Sequence, residues 1–229
     1  ALPPPPRRRL TPAPDAHWTL HLKYDLAAFD FDGTLADTMP WFNSILNTVA
    51  DKYGFRKIDA AERDQLRHHE AAEILKYLGI PLWKLPAIMA HVRTLMQEID
   101  PSVQLFDGIP DALARLKAAG LRLAVVSSNS IENVRRVLGE QTAALFDDFE
   151  CGTDLFGKSA KIDRLLRQHG TAPERFLLVG DEMRDIDAAR KAGVRVGSVA
   201  WGYNHVEALR ERSPDELFLT VADLPATLA

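Results

Sequence analysis

Cysteine is nearly missing from this sequence: Cys151 stands alone among 229 residues. An internal disulfide is therefore excluded, and a lone thiol of this kind is expected to be buried and inert in a reducing compartment. Long apolar runs are missing too. None approaches the roughly 20 residues that cross a bilayer, and the opening ALPPPPRRRLTPAP lacks the apolar middle of a secretory signal. A cytoplasmic protein without a membrane partner is the expectation. Positive charge is not in excess either, because the net charge is -4. Nothing in that balance suggests a nucleic-acid footprint or an anionic surface as partner, so a small anionic ligand would have to be attracted locally.

What is present is enough apolar material, 46% of residues, to fill the core of one α/β domain with a small insertion. Residues 1–20 hold six of the fourteen prolines and three consecutive arginines, a composition that favours extended chain and reads as a tail. From Leu26 to Phe29 a short apolar run enters an acidic turn, the pattern of a buried parallel strand. LRLAVVS at 121–127, RFLLVGD at 175–181 and VRVGSVA at 194–200 repeat it, with helical stretches such as DALARLKAAG at 111–120 between them. This alternation predicts a doubly wound α/β fold with a mainly parallel sheet. Ligands in such folds lie beyond the carboxyl ends of the strands, and Asp30, Asp32, Ser127 and Asp181 all fall there.

Between Thr38 and about Phe106 the strand pattern gives way to helical spacing in WFNSILNTVADKYG, EAAEILKYLG and LPAIMAHVRTLMQEI, with Gly54 and Gly79 as helix stops. An inserted all-helical cap over residues 38–106 is expected, leaving 21–37 and 107–229 as the α/β core.

DFDGTLADT begins at Asp30 and sets two carboxylates one residue apart beyond a buried strand, before Gly33. Like charges about 4 Å apart cost on the order of 4 kcal/mol at an effective dielectric near 20, so a cation or a proton belongs there. GDEMRDIDAAR supplies Asp181 at another strand end and Asp185 at the start of a helix. Asp181 can reach a metal and Asp185 can support it. Hard oxygen ligands of this kind suit Mg²⁺, whereas Asp187 reads as an acid complementing a helix dipole. VVSSNS at 125–130 puts Ser127, Ser128 and Asn129 ahead of a helix. That turn serves either as a cradle for phosphate oxygens or as an ordinary helix cap. Lys158 in FGKSAK is either a cation for the site or solvated surface.

The ordered set Asp-x-Asp, Ser, Lys, Asp resembles the haloacid dehalogenase superfamily, in its phosphoglycolate phosphatase-like branch with a helical cap, from about Asp25 to the end. The resemblance implies a phosphatase acting on a small phosphorylated metabolite, with Asp30 as nucleophile and Asp32 as general acid and base. It implies Mg²⁺ held by Asp30, the Asp32 carbonyl and Asp181, with Asp185 acting through water. Ser127, Ser128, Asn129 and Lys158 would bind phosphate. Lys161 rivals Lys158, because the segment lacks the K-P-x-P string common in relatives. A sugar-phosphate mutase, or a silent binding module using the basic arm, are the alternatives, and the chain could be a monomer or a homodimer. In the cap, Arg67 or His68 could enter the site on closure or lie on a solvated face, beside His69 and Glu70. Trp41 and Trp83 read as cap core.

Overall fold

The computed structural model describes residues 22–97, 103–152 and 157–229. The expected tail and the last residues of the LPAIMAHVRTLMQEI stretch lie outside the described residues.

Among the described residues, six parallel strands form one sheet in the order β3-β2-β1-β4-β5-β6. They are β1 (Leu26–Phe29), β2 (Arg122–Val126), β3 (Asp148–Glu150), β4 (Phe176–Gly180), β5 (Arg195–Val199) and β6 (Glu216–Phe218). Side chains alternate across the sheet with period two, so Ala27 and Phe29 join one cluster while Leu26 and Ala28 join the other. Both faces are covered. Helices α5 (Ile109–Ala118), α6 (Ile131–Ala143) and α10 (Asp223–Leu228) pack on the first face through Leu113, Val134 and Leu224. Helices α7 (Gly157–His169), α8 (Met183–Ala192) and α9 (Val206–Glu211) pack on the second through Ile162, Ile186 and Leu209. A sheet buried on both faces needs continuous apolar strands rather than alternating ones, which is why LAAF and FLLVG are wholly buried.

The register places Phe29 beside Val125 on one side and Val179 on the other. Strand order reverses direction at β1, where β2 and β3 lie on one side and β4 to β6 on the other. Residues that follow β1 and β4 therefore meet at the switch point, where this class of sheet leaves a crevice.

Four helices are inserted between β1 and β2: α1 (Met39–Tyr53), α2 (Ala60–Leu66), α3 (Ala71–Leu78) and α4 (Leu85–Gln97). Gly54 and Gly79 end α1 and α3 in left-handed conformation, as their positions predict. The chain leaves and re-enters the sheet domain through one short ribbon. Ala36 pairs antiparallel with Leu105, and Phe106 N–H donates to the Leu35 carbonyl at 3.0 Å. The inserted helices form a small apolar cluster around Leu46, Ile58 and Leu78. Trp83 corrects the sequence reading: it is 77% exposed, on the turn before α4, and does not belong to a core. Trp41 packs against the sheet's cluster rather than the inserted helices. Cys151 is half-buried, not fully buried, and burial pushes its thiol up to about 11.

Candidate active site

Asp30 follows β1 directly and is 3% exposed. Its amide donates to the Val179 carbonyl of β4 at 2.8 Å, which ties the two strand ends together. One carboxylate oxygen accepts the Phe31 amide at 2.8 Å and the other lies 2.7 Å from Lys158 Nζ. The same lysine contacts Asp185 Oδ1. Asp181, after β4, and Asp185, in the first turn of α8, have no exposed surface. One oxygen from each of Asp30, Asp181 and Asp185 lies within 4.8 Å of the others.

Glycines make this crowding possible. A Cβ on Gly33 or on Gly202 would collide with Asp181, and one on Gly180 would collide with Asp185. At Gly33 a φ of 79° also favours glycine. Asp181 is then fixed by Thr34 Oγ1 and the Tyr203 amide, each donating at 2.7 Å. Asp185 accepts the Glu182 amide at 3.1 Å in a capping box.

Of the three buried acids, Asp30 and Asp185 share Lys158, with Arg184 engaged by Glu182 beside them. Burial, then the charges of Glu182, Asp185 and Asp30, hold the Asp181 carboxyl well above the usual range. Burial likewise raises Asp30 against the opposing pull of Lys158. For Lys158, burial works against the charged form, but Asp185 and Asp30 outweigh it and raise the ammonium. Negative charge is thus undercompensated in a dry, all-oxygen pocket, and the donor set fits a hard divalent cation.

Asp32 belongs to a separate arrangement. Its half-buried carboxylate accepts from Asn129 Nδ2 at 3.3 Å on both oxygens. Burial and the Asp30 charge push it up to about 6, opposed by hydrogen bonds from Asn129 and Thr38. Asn129 is fixed in turn, since its Oδ1 accepts from Ser130 N and Asn133 Nδ2, and its Nδ2 also contacts Met96 Sδ. The Asn129 side chain therefore faces an acid. Buried Ser127 sits at the end of β2, where its Oγ accepts the Asn129 amide at 3.0 Å, and half-buried Ser128 follows it. Ser130 supplies the cap of α6.

The two lysines separate cleanly. Lys158 lies against Asp30 and Asp185, while Lys161 is buried and donates to the carbonyls of Ser127 and Gly152. Asp187 is held by Arg212 at 3.2 Å, away from the acid cluster. Arg67 neither enters the acid cluster nor lies on a solvated face. Its guanidinium donates to the carbonyls of Tyr203 at 3.0 Å and Gly202 at 3.1 Å. His68 stacks on His205 with ring centroids 4.2 Å apart.

The sequence reading missed the stretch W-G-Y-N at 201–204. Gly202 makes room for Asp181, Tyr203 binds it and meets Thr38 Oγ1 at 3.0 Å, and Asn204 Oδ1 accepts the Met183 amide at 2.9 Å. Its signal was its place, immediately beyond β5, at the same edge as every other site residue.

A parallel sheet with paired acids at its switch point, a lysine and a second acidic loop defines the class. The model of the haloacid dehalogenase-like hydrolases matches residues 27–199, and the chain belongs to that family. Within the family it falls on the phosphoglycolate phosphatase-like branch. A phosphoglycolate phosphatase of Synechococcus elongatus is 35% identical over 197 residues, covering 86% of this chain and 93% of the relative. An N-acetylmuramic acid 6-phosphate phosphatase of Pseudomonas aeruginosa is 31% identical over 196 residues, covering 78% and 83%. Among solved structures, CbbY from Rhodobacter sphaeroides in complex with phosphate superposes with a TM-score of 0.66 at 26% identity, covering 90% of this chain and 99% of that one.

Proposed function

We propose that this chain is a cytoplasmic, magnesium-dependent phosphatase that hydrolyses a small phosphomonoester through an aspartyl phosphate on Asp30. The observation that carries the reading is the division between the two acids of one turn. Asp30 belongs to the buried acid–lysine cluster, whereas Asp32 is held apart from it by Asn129.

In this reading Asp30 attacks phosphorus, and the ester P–O bond breaks as Asp32 gives its proton to the departing oxygen. Asp32 then takes a proton from water, whose oxygen attacks phosphorus, breaks the bond to Asp30 and releases phosphate. Lys158 and the β2 end at Ser127 and Ser128 hold the phosphoryl oxygens, and Asn129 orients Asp32. Asp30, Asp181, Asp185 and the Asp32 carbonyl are the residues that would hold magnesium, which when bound would offset charge on the phosphoryl group. Residues 21–37 and 107–229 serve as the catalytic core, and 38–106 as a cap that excludes water and selects the leaving group.

The test is phosphate release from a panel of phosphorylated metabolites, 2-phosphoglycolate among them. Release with magnesium, its loss in EDTA, and a loss on the order of 10⁴-fold or more in Asp30→Asn are expected. Isomerised sugar phosphate without release would point to a mutase, and silence across the panel would overturn the enzymatic reading.

A further inference from the structure

The inserted helices border a half-open cavity of about 490 Å³. That volume falls within the roughly 300–1,000 Å³ range of small-molecule sites, well beyond a packing defect. Its walls are side chains that would otherwise form the centre of a helical bundle, among them Phe42, Val49, Phe55, Ile74, Leu85 and Val92. Several are only half-buried, and Phe42, Phe55 and Ile74 border this space while also packing against the Leu46, Ile58 and Leu78 cluster. Apolar cavities of about 150 Å³ stay dry and accept apolar guests.

Two features join the cavity to the site. Glu182, Tyr203 and Asn204 of the sheet domain form part of its lining, and the amides of Tyr203 and Glu182 donate to Asp181 and Asp185 respectively. From the opposite side, Leu85, Ile88, Met89 and Val92 of α4 line it at helical spacing. The next position on that stripe, Met96, touches Asn129, which holds Asp32. Helix α4 thus runs from the wall of the cavity to the asparagine that holds Asp32. Three charged side chains, Arg63, Asp64 and Arg67, also belong to the lining: Arg67 donates to two carbonyls and to Asp64, and Arg63 meets the Asn43 carbonyl at 3.5 Å.

Resting on the phosphatase reading above, we infer that the leaving group is apolar: the substrate class is a phosphomonoester of an alkyl or aryl alcohol, with the hydrocarbon portion housed in the cap cavity. A two-carbon acid leaves that cavity unfilled. The two curated relatives described above carry different substrates in their names, so family membership does not fix the leaving group.

The experiment uses the magnesium-loaded full chain and n-alkyl phosphates from ethyl to octyl. The expected kcat/KM rises about three- to fourfold per methylene until the cavity is full, and octyl phosphate surpasses 2-phosphoglycolate. Binding of the matching n-alkylphosphonates, which cannot be hydrolysed, is measured in parallel by calorimetry and is expected to tighten with the same slope. Val92→Phe, which intrudes on the cavity, is expected to make both slopes level off at a shorter chain. Phosphate release with no dependence on chain length, and flat phosphonate affinities, would overturn the inference and leave the phosphatase reading standing. A phosphonate slope without turnover of any ester would do the reverse. A slope unchanged in folded Val92→Phe would place the hydrocarbon elsewhere and overturn the assignment.

Discussion

The sheet domain and the inserted helices solve opposite problems with the same kinds of residue. In the sheet domain, large apolar side chains such as Phe29, Leu113 and Phe176 are wholly enclosed, and the buried polar groups include those of the site, Asp30, Ser127, Asn129, Asp181 and Asp185. In the inserted helices, α2 has no buried residue, α3 has one, and apolar side chains surround a space instead of filling it. The first arrangement holds reacting groups in fixed positions at the cost of tolerance. The second leaves room for a variable guest and accepts lower packing density. On the function proposed above, chemistry and selection fall to regions of different packing density.

The contrast can be broken first by truncating one side chain in each region. Leu113→Ala in the sheet domain should cost about 2–5 kcal/mol, whereas Leu46→Ala beside the cavity should cost about 1–2 kcal/mol, because its surroundings already lack contacts to lose. Urea titration of both variants checks this, and equal costs would erase the distinction. Next in size, Gly202→Ala should push Asp181 out of place and lower phosphate release about 10²-fold, with the inserted helices unaffected. Arg67→Ala removes the grip on the Gly202 and Tyr203 carbonyls, charged hydrogen bonds worth about 1.5–3 kcal/mol each. Hydrogen exchange should quicken in α2 and α3 and stay unchanged in β1 and β4. The smallest effect concerns Cys151, whose raised thiol should react with iodoacetamide at pH 8 about 10²-fold more slowly than in the unfolded chain.

The same contrast governs what could be read in advance. The four central strands were legible because burial on both faces demands unbroken apolar runs, and the acids after β1 and β4 were legible because they terminate such runs. The edge strands β3 and β6, three residues each and only partly buried, leave no such trace. Helix α2, AAERDQL, was missed because a helix without a buried face has no periodicity to detect. Trp83 was misplaced for a related reason: an aromatic near apolar neighbours suggests a core, but this cap directs its apolar side chains to a cavity and leaves Trp83 outside. Lys161 rivalled Lys158 because the segment lacks a K-P-x-P string, and the structure separates them by partner, carboxylates for one and carbonyls for the other. Gly202 and Tyr203 act through close approach and a backbone amide, properties that side-chain chemistry does not advertise.

The ribbon that joins the two regions has a consequence for how such proteins diversify. Because Phe106 bonds back to Leu35 and Gln104 to Asp37, the intervening chain departs and returns at adjacent points on the sheet domain. A short turn would suffice to close that gap. The insertion is thus a cassette: it can be lengthened, shortened or exchanged for another without altering the strand ends that carry the acids, so one hydrolytic machine can be refitted for a new leaving group by replacing a single continuous stretch of sequence.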